Sequence, residues 1–171
     1  RSLSDRRKTL WASWRINLKG VSIWFAGDTG YNDKQFKEIG DKLGPVDLAL
    51  IPIGGYSPRS FMRLYHVDPH EALKIHKDVR ARQSIAMHWG TFPLTAEGPG
   101  DPVIELAKQR KKLDIAPGKF MSMAVGETIN LGWTNTESYV KENTSFDRKK
   151  LRVYCSKQII IFGLIIATRK P

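Results

Sequence analysis

The sequence predicts an α/β layered domain with at least part of its sheet parallel, and three observations carry that expectation. Strand-like and helix-like segments alternate in the order β-β-α-β-α-β-α-β between Leu10 and Val125. The run Asp47-Leu48-Ala49-Leu50-Ile51-Pro52-Ile53 is almost wholly apolar, as expected of a strand covered on both faces. Gly44-Pro45 and Gly54-Gly55 bracket that run with residues that stop one element and turn the chain into the next.

The elements follow in order. Leu10 to Leu18, with tryptophans at 11 and 14, and Val21 to Ala26 read as strands joined by the turn Asn17-Leu18-Lys19-Gly20. Asn32 or Asp33 can cap a helix whose apolar positions Phe36, Ile39 and Leu43 recur at helical spacing, and Gly44-Pro45 ends it. After the strand at 47–53, Asp68 is an N-cap with Pro69 at the first helical position and Glu71 at the third. Ala72, Leu73, Ile75 and Val79 form the buried stripe of a helix over 69–80. A strand at 84–87 delivers His88, a capped helix runs from Asp101-Pro102 to about Leu113, and Phe120 to Val125 forms the next strand.

Residues 1–129 are expected to form the core domain, with 130–171 a divergent tail outside it. The stretch 130–150 is polar and aperiodic, which reads as a loop or disordered extension. Ile159 to Ala167 is intensely apolar but far shorter than the ~20 residues a helix needs to cross a bilayer. It reads as an extra strand or aggregation-prone tail, with a membrane-dipping segment flanked by Lys157, Arg169 and Lys170 as the alternative. Asn143-Thr144-Ser145 matches a glycosylation sequon, read as a chance match.

With 28 Lys and Arg against 17 Asp and Glu, the net charge of +11 favours anionic partners such as a phospholipid surface. No nucleic-acid-binding motif accompanies the charge, so nucleic acid is not an expected partner. Cys155 is the single cysteine, which excludes an internal disulfide framework and a thiolate zinc cluster and fits a reducing, cytoplasmic compartment. The opening Arg1-Ser2-Leu3-Ser4-Asp5-Arg6-Arg7-Lys8 has neither initiator methionine nor the apolar core of a signal peptide, and reads as the middle of something longer.

Two segments point to chemistry. Ile23-Trp24-Phe25-Ala26-Gly27-Asp28-Thr29-Gly30-Tyr31 ends an apolar strand on a lone carboxylate, and Ser84-Ile85-Ala86-Met87-His88-Trp89-Gly90-Thr91 repeats the arrangement with an imidazole. Ligands collect beyond the carboxyl ends of strands in open α/β folds, and carboxylate oxygen and neutral imidazole suit a hard or borderline cation. Asp28 and His88 are therefore candidate ligands of one metal site. His70 and His76, six residues apart on one helix, point about 120° from each other and cannot easily converge on one ion. Both are expected at solvated or half-buried helix positions.

Four segments in the right order make the resemblance specific: Phe25 to Tyr31, Gly44 to Gly54, His66-Val67-Asp68-Pro69-His70-Glu71-Ala72, and Met87-His88-Trp89-Gly90-Thr91-Phe92. Over about residues 1–129 the chain resembles the N-acylphosphatidylethanolamine-hydrolysing phospholipases D of the metallo-β-lactamase superfamily. The resemblance implies the second half of an αββα sandwich, two zinc ions, and hydrolysis of N-acylphosphatidylethanolamine to N-acylethanolamine and phosphatidic acid. It implies that Asp28 is the bridging metal carboxylate and His88 the last metal histidine, and that His66 is a non-ligand histidine near the metals, a candidate catalytic residue for substrate contact or proton transfer. Tyr56, Pro58, Arg59, Phe61, Met62 and Arg63 mix aromatic, apolar and cationic side chains near the presumed metal edge. Tyr56, Arg59, Phe61, Met62 and Arg63 are thus expected to bind phospholipid, with arginine gripping phosphate and Phe61 and Met62 against acyl chain.

The chain departs from the family in lacking the His-x-His-x-Asp-His cluster that supplies most metal ligands. An incomplete and inactive fragment that binds zinc weakly is the expectation, since a dinuclear site needs more ligands. Expected partners are phospholipid substrate, a membrane surface to which the protein attaches peripherally, and a second copy, because a half-sandwich exposes apolar faces. Two alternatives carry weight: another hydrolase of the superfamily, such as a sugar-phosphate lactonase, or a non-catalytic basic protein of membrane surfaces.

Overall fold

β1 (Trp14–Leu18) and β2 (Val21–Phe25) form an antiparallel hairpin with Trp14 opposite Phe25 and Leu18 opposite Val21. The computed structural model describes residues 12–18, 20–124, 126–130 and 152–154. The chain divides into two units, Arg1–Ser122 and Met123–Pro171.

In the first unit β2 pairs in parallel with β3 (Val46–Pro52), β3 with β4 (Ala81–Met87), and β4 with β5 (Phe120–Met121), giving a five-stranded sheet in the order β1-β2-β3-β4-β5. Each parallel step is made by a helical crossover, through α1 (Gln35–Leu43), α2 and α3 (Arg59–Met62, Pro69–Asp78), and α4 (Asp101–Lys112). The α3 helix packs on β3 and β4 and touches both α1 and α4. The mixed α/β architecture expected from the element order is therefore present.

Local chemistry explains the boundaries. Asp68 accepts the Glu71 N–H and the Glu71 carboxylate accepts the Asp68 N–H, a reciprocal capping box with Pro69 behind it. Neither of the other two expected caps occupies the N-cap position. Asn32 Oδ1 accepts the N–H groups of Lys34 and Gln35 at 3.0 Å each, while the N-cap position itself is Lys34. Asp101 lies inside α4 rather than at its N-cap, Gly100, and its carboxylate accepts the Gly98 N–H at 2.8 Å. Among the described residues β5 spans Phe120–Met121, the two that pair with β4, and does not continue through 122–124; Val125, the end of the expected strand, lies outside the described residues. The helix expected over 69–80 closes at Asp78, and Arg80 takes a left-handed φ of +54° on the way into β4.

The core lies between helices and sheet. Leu48 and Ile51 of β3, Leu73 and Ile75 of α3, Leu106 of α4 and Phe120 of β5 are fully buried. Trp24 meets Phe36 of α1 edge to face at 6.0 Å and donates its indole N–H to Ser13. Asp47, the one polar residue of the expected apolar strand, accepts both the N–H and the hydroxyl of Ser22 at 2.8 Å. Consecutive residues of β3 are buried, as in a strand covered on both faces, and among the described strands large exposed apolar side chains occur on β1, at Trp14 and Ile16.

In the second unit β6 (Thr128–Asn130) pairs antiparallel with β7 (Arg152–Tyr154), Thr128 facing Tyr154. The polar stretch beyond Asn130, Cys155, the sequon at 143–145, the apolar run 159–167 and the basic opening all lie outside the described residues. Among the described residues, no helix is long and apolar enough to cross a membrane.

Candidate metal centre

β2, β3 and β4 run parallel, so their carboxyl ends share one edge of the sheet, where such domains gather functional groups. Asp28 follows β2 closely, Gly54 and Gly55 follow β3, and His88 follows β4 directly. His66 arrives on the segment between α2 and α3. Close backbone packing joins that segment to the Asp28 loop. A Cβ on Gly30 would lie 2.6 Å from the Leu64 carbonyl oxygen, so a side chain there would push the two segments apart. Beside it, the Val67 N–H donates to the Thr29 carbonyl at 2.9 Å.

Asp28, His66 and His88 each offer a carboxylate oxygen or ring nitrogen, and these atoms lie within 4.8 Å of one another. The His66 and His88 rings stack, 5.2 Å between centroids and 17° between planes. His88 has φ +58°, a left-handed conformation uncommon for residues with a Cβ, although histidine is among those that tolerate it. Strained backbone of this kind concentrates at functional sites.

Proton placement sharpens the geometry. His88 Nδ1 lies 3.3 Å from the Gly54 carbonyl oxygen. A carbonyl only accepts, so this contact places the proton on Nδ1 and leaves a lone pair on Nε2. Nε2 faces Asp28 Oδ1 at 3.4 Å. Two lone-pair-bearing atoms so close repel each other unless a proton or a cation lies between them.

His66 Nδ1 is buried and has no hydrogen-bond partner among the described residues. Burial lowers the His66 pKa, and His88 acts the same way against the opposing pull of Asp28 and Glu97. The neutral imidazole is thereby favoured, which is the form that ligates metals. A carboxylate and two imidazoles, one with a buried nitrogen left unpartnered among the described residues, fit a divalent cation.

The other candidate residues have different places. Arg59, expected to grip phosphate, is engaged within the fold. Its Nη1 donates to the His66 carbonyl at 2.7 Å, its Nη2 to Glu71 at 2.7 Å, and its Nε lies 3.5 Å from Asp68. It steadies the His66 backbone against the capping box of α3. Arg63 is exposed, Met62 half-buried, and Phe61 67 % exposed with its ring against Tyr65. Tyr56 is half-buried, and burial, reinforced by Glu97, raises its phenol pKa.

Neither helix histidine joins the cluster. His70 is half-buried, with Nδ1 3.3 Å from Gln109 Oε1. His76, expected at a solvated or half-buried position, is instead buried, because it lies on the α3 face that meets the sheet and pairs with Ser84 Oγ of β4 at 2.8 Å. Burial, with Lys119 and Lys77 adding to it, pushes its pKa down to about 4.

Sequence reasoning missed Glu97. One carboxylate oxygen accepts the N–H groups of Gly55 at 2.5 Å and Tyr56 at 3.2 Å, and the other accepts Ser57 at 3.0 Å. Nothing local marks a glutamate in a polar loop as the partner of a turn 40 residues earlier.

Comparison with known proteins bears on this site. The family model described as Beta-lactamase superfamily domain matches residues 1–89. The chain is 47 % identical over 131 residues to N-acyl-phosphatidylethanolamine-hydrolyzing phospholipase D 1 of Caenorhabditis elegans, a match covering 74 % of this chain and 36 % of the relative. It is 44 % identical over 99 residues to the mitochondrial N-acyl-phosphatidylethanolamine-hydrolyzing phospholipase D of Saccharomyces cerevisiae, covering 57 % of this chain and 21 % of that one. The chain thus spans about a third or less of these relatives' lengths. Among solved structures it is similar to Igni18, a metallo hydrolase of Ignicoccus hospitalis, with a TM-score of 0.46 and 30 % identity over 64 % of this chain and 41 % of that one.

Proposed function

The chain belongs to the β-lactamase superfamily, with its metallo-β-lactamase fold, and from that premise we propose that it carries part of the metal site of a zinc-dependent phosphodiester hydrolase. The observation that carries this reading is the opposition of His88 Nε2 and Asp28 Oδ1 at 3.4 Å, within one donor cluster at the carboxyl edge of the sheet. Asp28 would hold the cation through its carboxylate and His88 through Nε2. When bound, the metal supplies Lewis acidity and acidifies water.

The proposed substrate is N-acylphosphatidylethanolamine. The names of the two phospholipase D relatives support it, as do the exposed Phe61, the half-buried Met62 and the exposed cation Arg63 beside the site. Water adds to phosphorus, the bond from phosphorus to the ethanolamine oxygen breaks, that oxygen takes up a proton, and phosphatidic acid and N-acylethanolamine leave. His66 moves a proton in this scheme, standing beside the donor pair with its ring against that of His88. The net charge of +11 draws the protein to an anionic membrane surface.

The test is metal content and turnover in the full-length protein. Elemental analysis should find stoichiometric zinc, and vesicles containing N-acylphosphatidylethanolamine should be hydrolysed in preference to a phosphorylated lactone. His66→Gln should keep the metal and lose about 10²-fold or more in kcat, as for loss of a proton-transfer group. Vesicle binding with neither metal nor turnover would leave a membrane-surface protein, and preference for the lactone would move the substrate assignment.

A further inference from the structure

We infer that Glu97 is a positioning residue of the candidate metal centre, holding the turn after β3 as the floor on which the His66 and His88 rings stack. The inference rests on the functional reading above.

The three amides that Glu97 accepts belong to consecutive residues, Gly55, Tyr56 and Ser57. Successive N–H groups converging on one anion form a concave nest, and here the protein's own carboxylate fills it. The loop that carries Glu97 is tied to the same turn a second time, the Ala96 N–H donating to the Ser57 carbonyl at 3.2 Å. Burial pulls the Glu97 carboxyl upward, but hydrogen bonds from the Thr95 side chain and from the backbone of Glu97 itself, Ser57 and Gly55 together hold it below its ordinary pKa, so the anion persists across the neutral range.

The turn touches both histidines. Gly55 has φ +81°, and a Cβ there would lie 3.3 Å from His66 Nδ1 and 3.4 Å from His88 Cε1. One residue earlier, the Gly54 carbonyl receives His88 Nδ1, and a Cβ on Gly54 would lie 2.3 Å from the His88 carbonyl oxygen. The strand contact upstream is the Ile53 N–H to the Met87 carbonyl at 3.1 Å. Beyond Ile53, the carboxylate of Glu97 fixes where the Gly55 backbone stands, and thereby how closely the two rings can stack. Glu97 touches neither histidine by hydrogen bond; its charge reaches His66 through space, and its hold on where the rings stand is exerted through the turn.

The experiment compares Glu97→Ala and Glu97→Gln with wild type, in the full-length protein. In zinc-free protein, the nuclear Overhauser contact between the His66 and His88 ring protons should be present in wild type and lost in Glu97→Ala, while the His76 ring signals stay in place. A general loss of structure would move His76 as well. In zinc-loaded protein, Glu97→Ala should lower kcat on N-acylphosphatidylethanolamine by about 10²-fold with KM little changed, the scale of a small misplacement of catalytic groups. Glu97→Gln, which keeps one acceptor oxygen, should fall between the two and decides the matter if Glu97→Ala does not fold. Wild-type ring contact and wild-type kcat in the folded variants would overturn the inference. Loss of the ring contact in a protein whose wild type has no turnover would instead remove the hydrolase reading and leave the positioning role standing.

Discussion

Two histidine environments within the first unit use the same side chain to opposite ends. His76 sits in the core between α3 and the sheet, and its Nδ1 is matched to the Ser84 hydroxyl at 2.8 Å. At the sheet edge, His66 and His88 stack on each other, His66 Nδ1 has no partner among the described residues, and His88 Nε2 faces a carboxylate oxygen. Burial lowers the pKa of both His66 and His76, so a perturbed imidazole does not by itself mark a site. The difference lies in satisfaction. A core histidine closes its hydrogen bonds within the protein, whereas the edge cluster leaves donor atoms pointing at one another, an arrangement that a cation completes.

The comparison is broken most sharply at Asp28. Its side chain is largely exposed, so Asp28→Ala should change stability by less than about 0.5 kcal/mol. Zinc affinity of the full-length protein should fall by about 10²-fold or more, since loss of even an outer-shell partner costs 10- to 100-fold. Zinc titration followed calorimetrically checks this, and unchanged affinity would remove Asp28 from the metal site. The core histidine should show the reverse profile.

His76 gives the next largest effect, through pH. Its unfolded-state pKa is the ordinary 6.5 and its folded value about 4, so between those limits the unfolded chain binds the extra proton. Stability therefore holds above about pH 6.5, falls as pH drops toward 4, and levels off below. The difference between those two values sets an upper scale of about 3 kcal/mol for the loss. Denaturant unfolding of wild type and His76→Asn across this range measures it, and an equal slope in the variant would reject His76 as the cause.

The smallest effect isolates the single hydrogen bond. Ser84→Ala leaves His76 Nδ1 buried without its partner and should cost about 1–3 kcal/mol at neutral pH, with zinc affinity and turnover unchanged. A Ser84→Ala protein that kept its stability but lost metal would show that the core and edge histidines are not independent, and the distinction between them would fall.

The stronger signals in the sequence were those carried by short spans. Asp68-Pro69-His70-Glu71 spells a capping box within four residues, and the structure contains it. The apolar run after Gly44-Pro45 is a central strand buried on both faces, as its composition requires. Asn32 and Asp101 show the limit of such reading. The Asn32 carboxamide accepts amides at the start of α1, whereas the Asp101 carboxylate turns back to the Gly98 N–H ahead of α4, so which residue occupies the cap depends on how the chain enters the helix. His76 was less legible, because six residues of helical spacing fix its angle to His70 and not which of the two faces meets the sheet.

Composition and local pattern determined the α/β class, the order of its elements, and the placing of Asp28 and His88 beyond strand ends, since hydrophobic period, proline and glycine act over a few residues. Tertiary structure decided what those residues meet. The convergence of Asp28, His66 and His88, the engagement of Arg59 by Asp68 and Glu71, and the grip of Glu97 on Gly55, Tyr56 and Ser57 join distant segments. Hydrogen bonds and charge interactions act over a few ångströms of space whatever the separation along the chain. Only the parallel pairing of β2, β3 and β4 brings their carboxyl ends close enough for that chemistry.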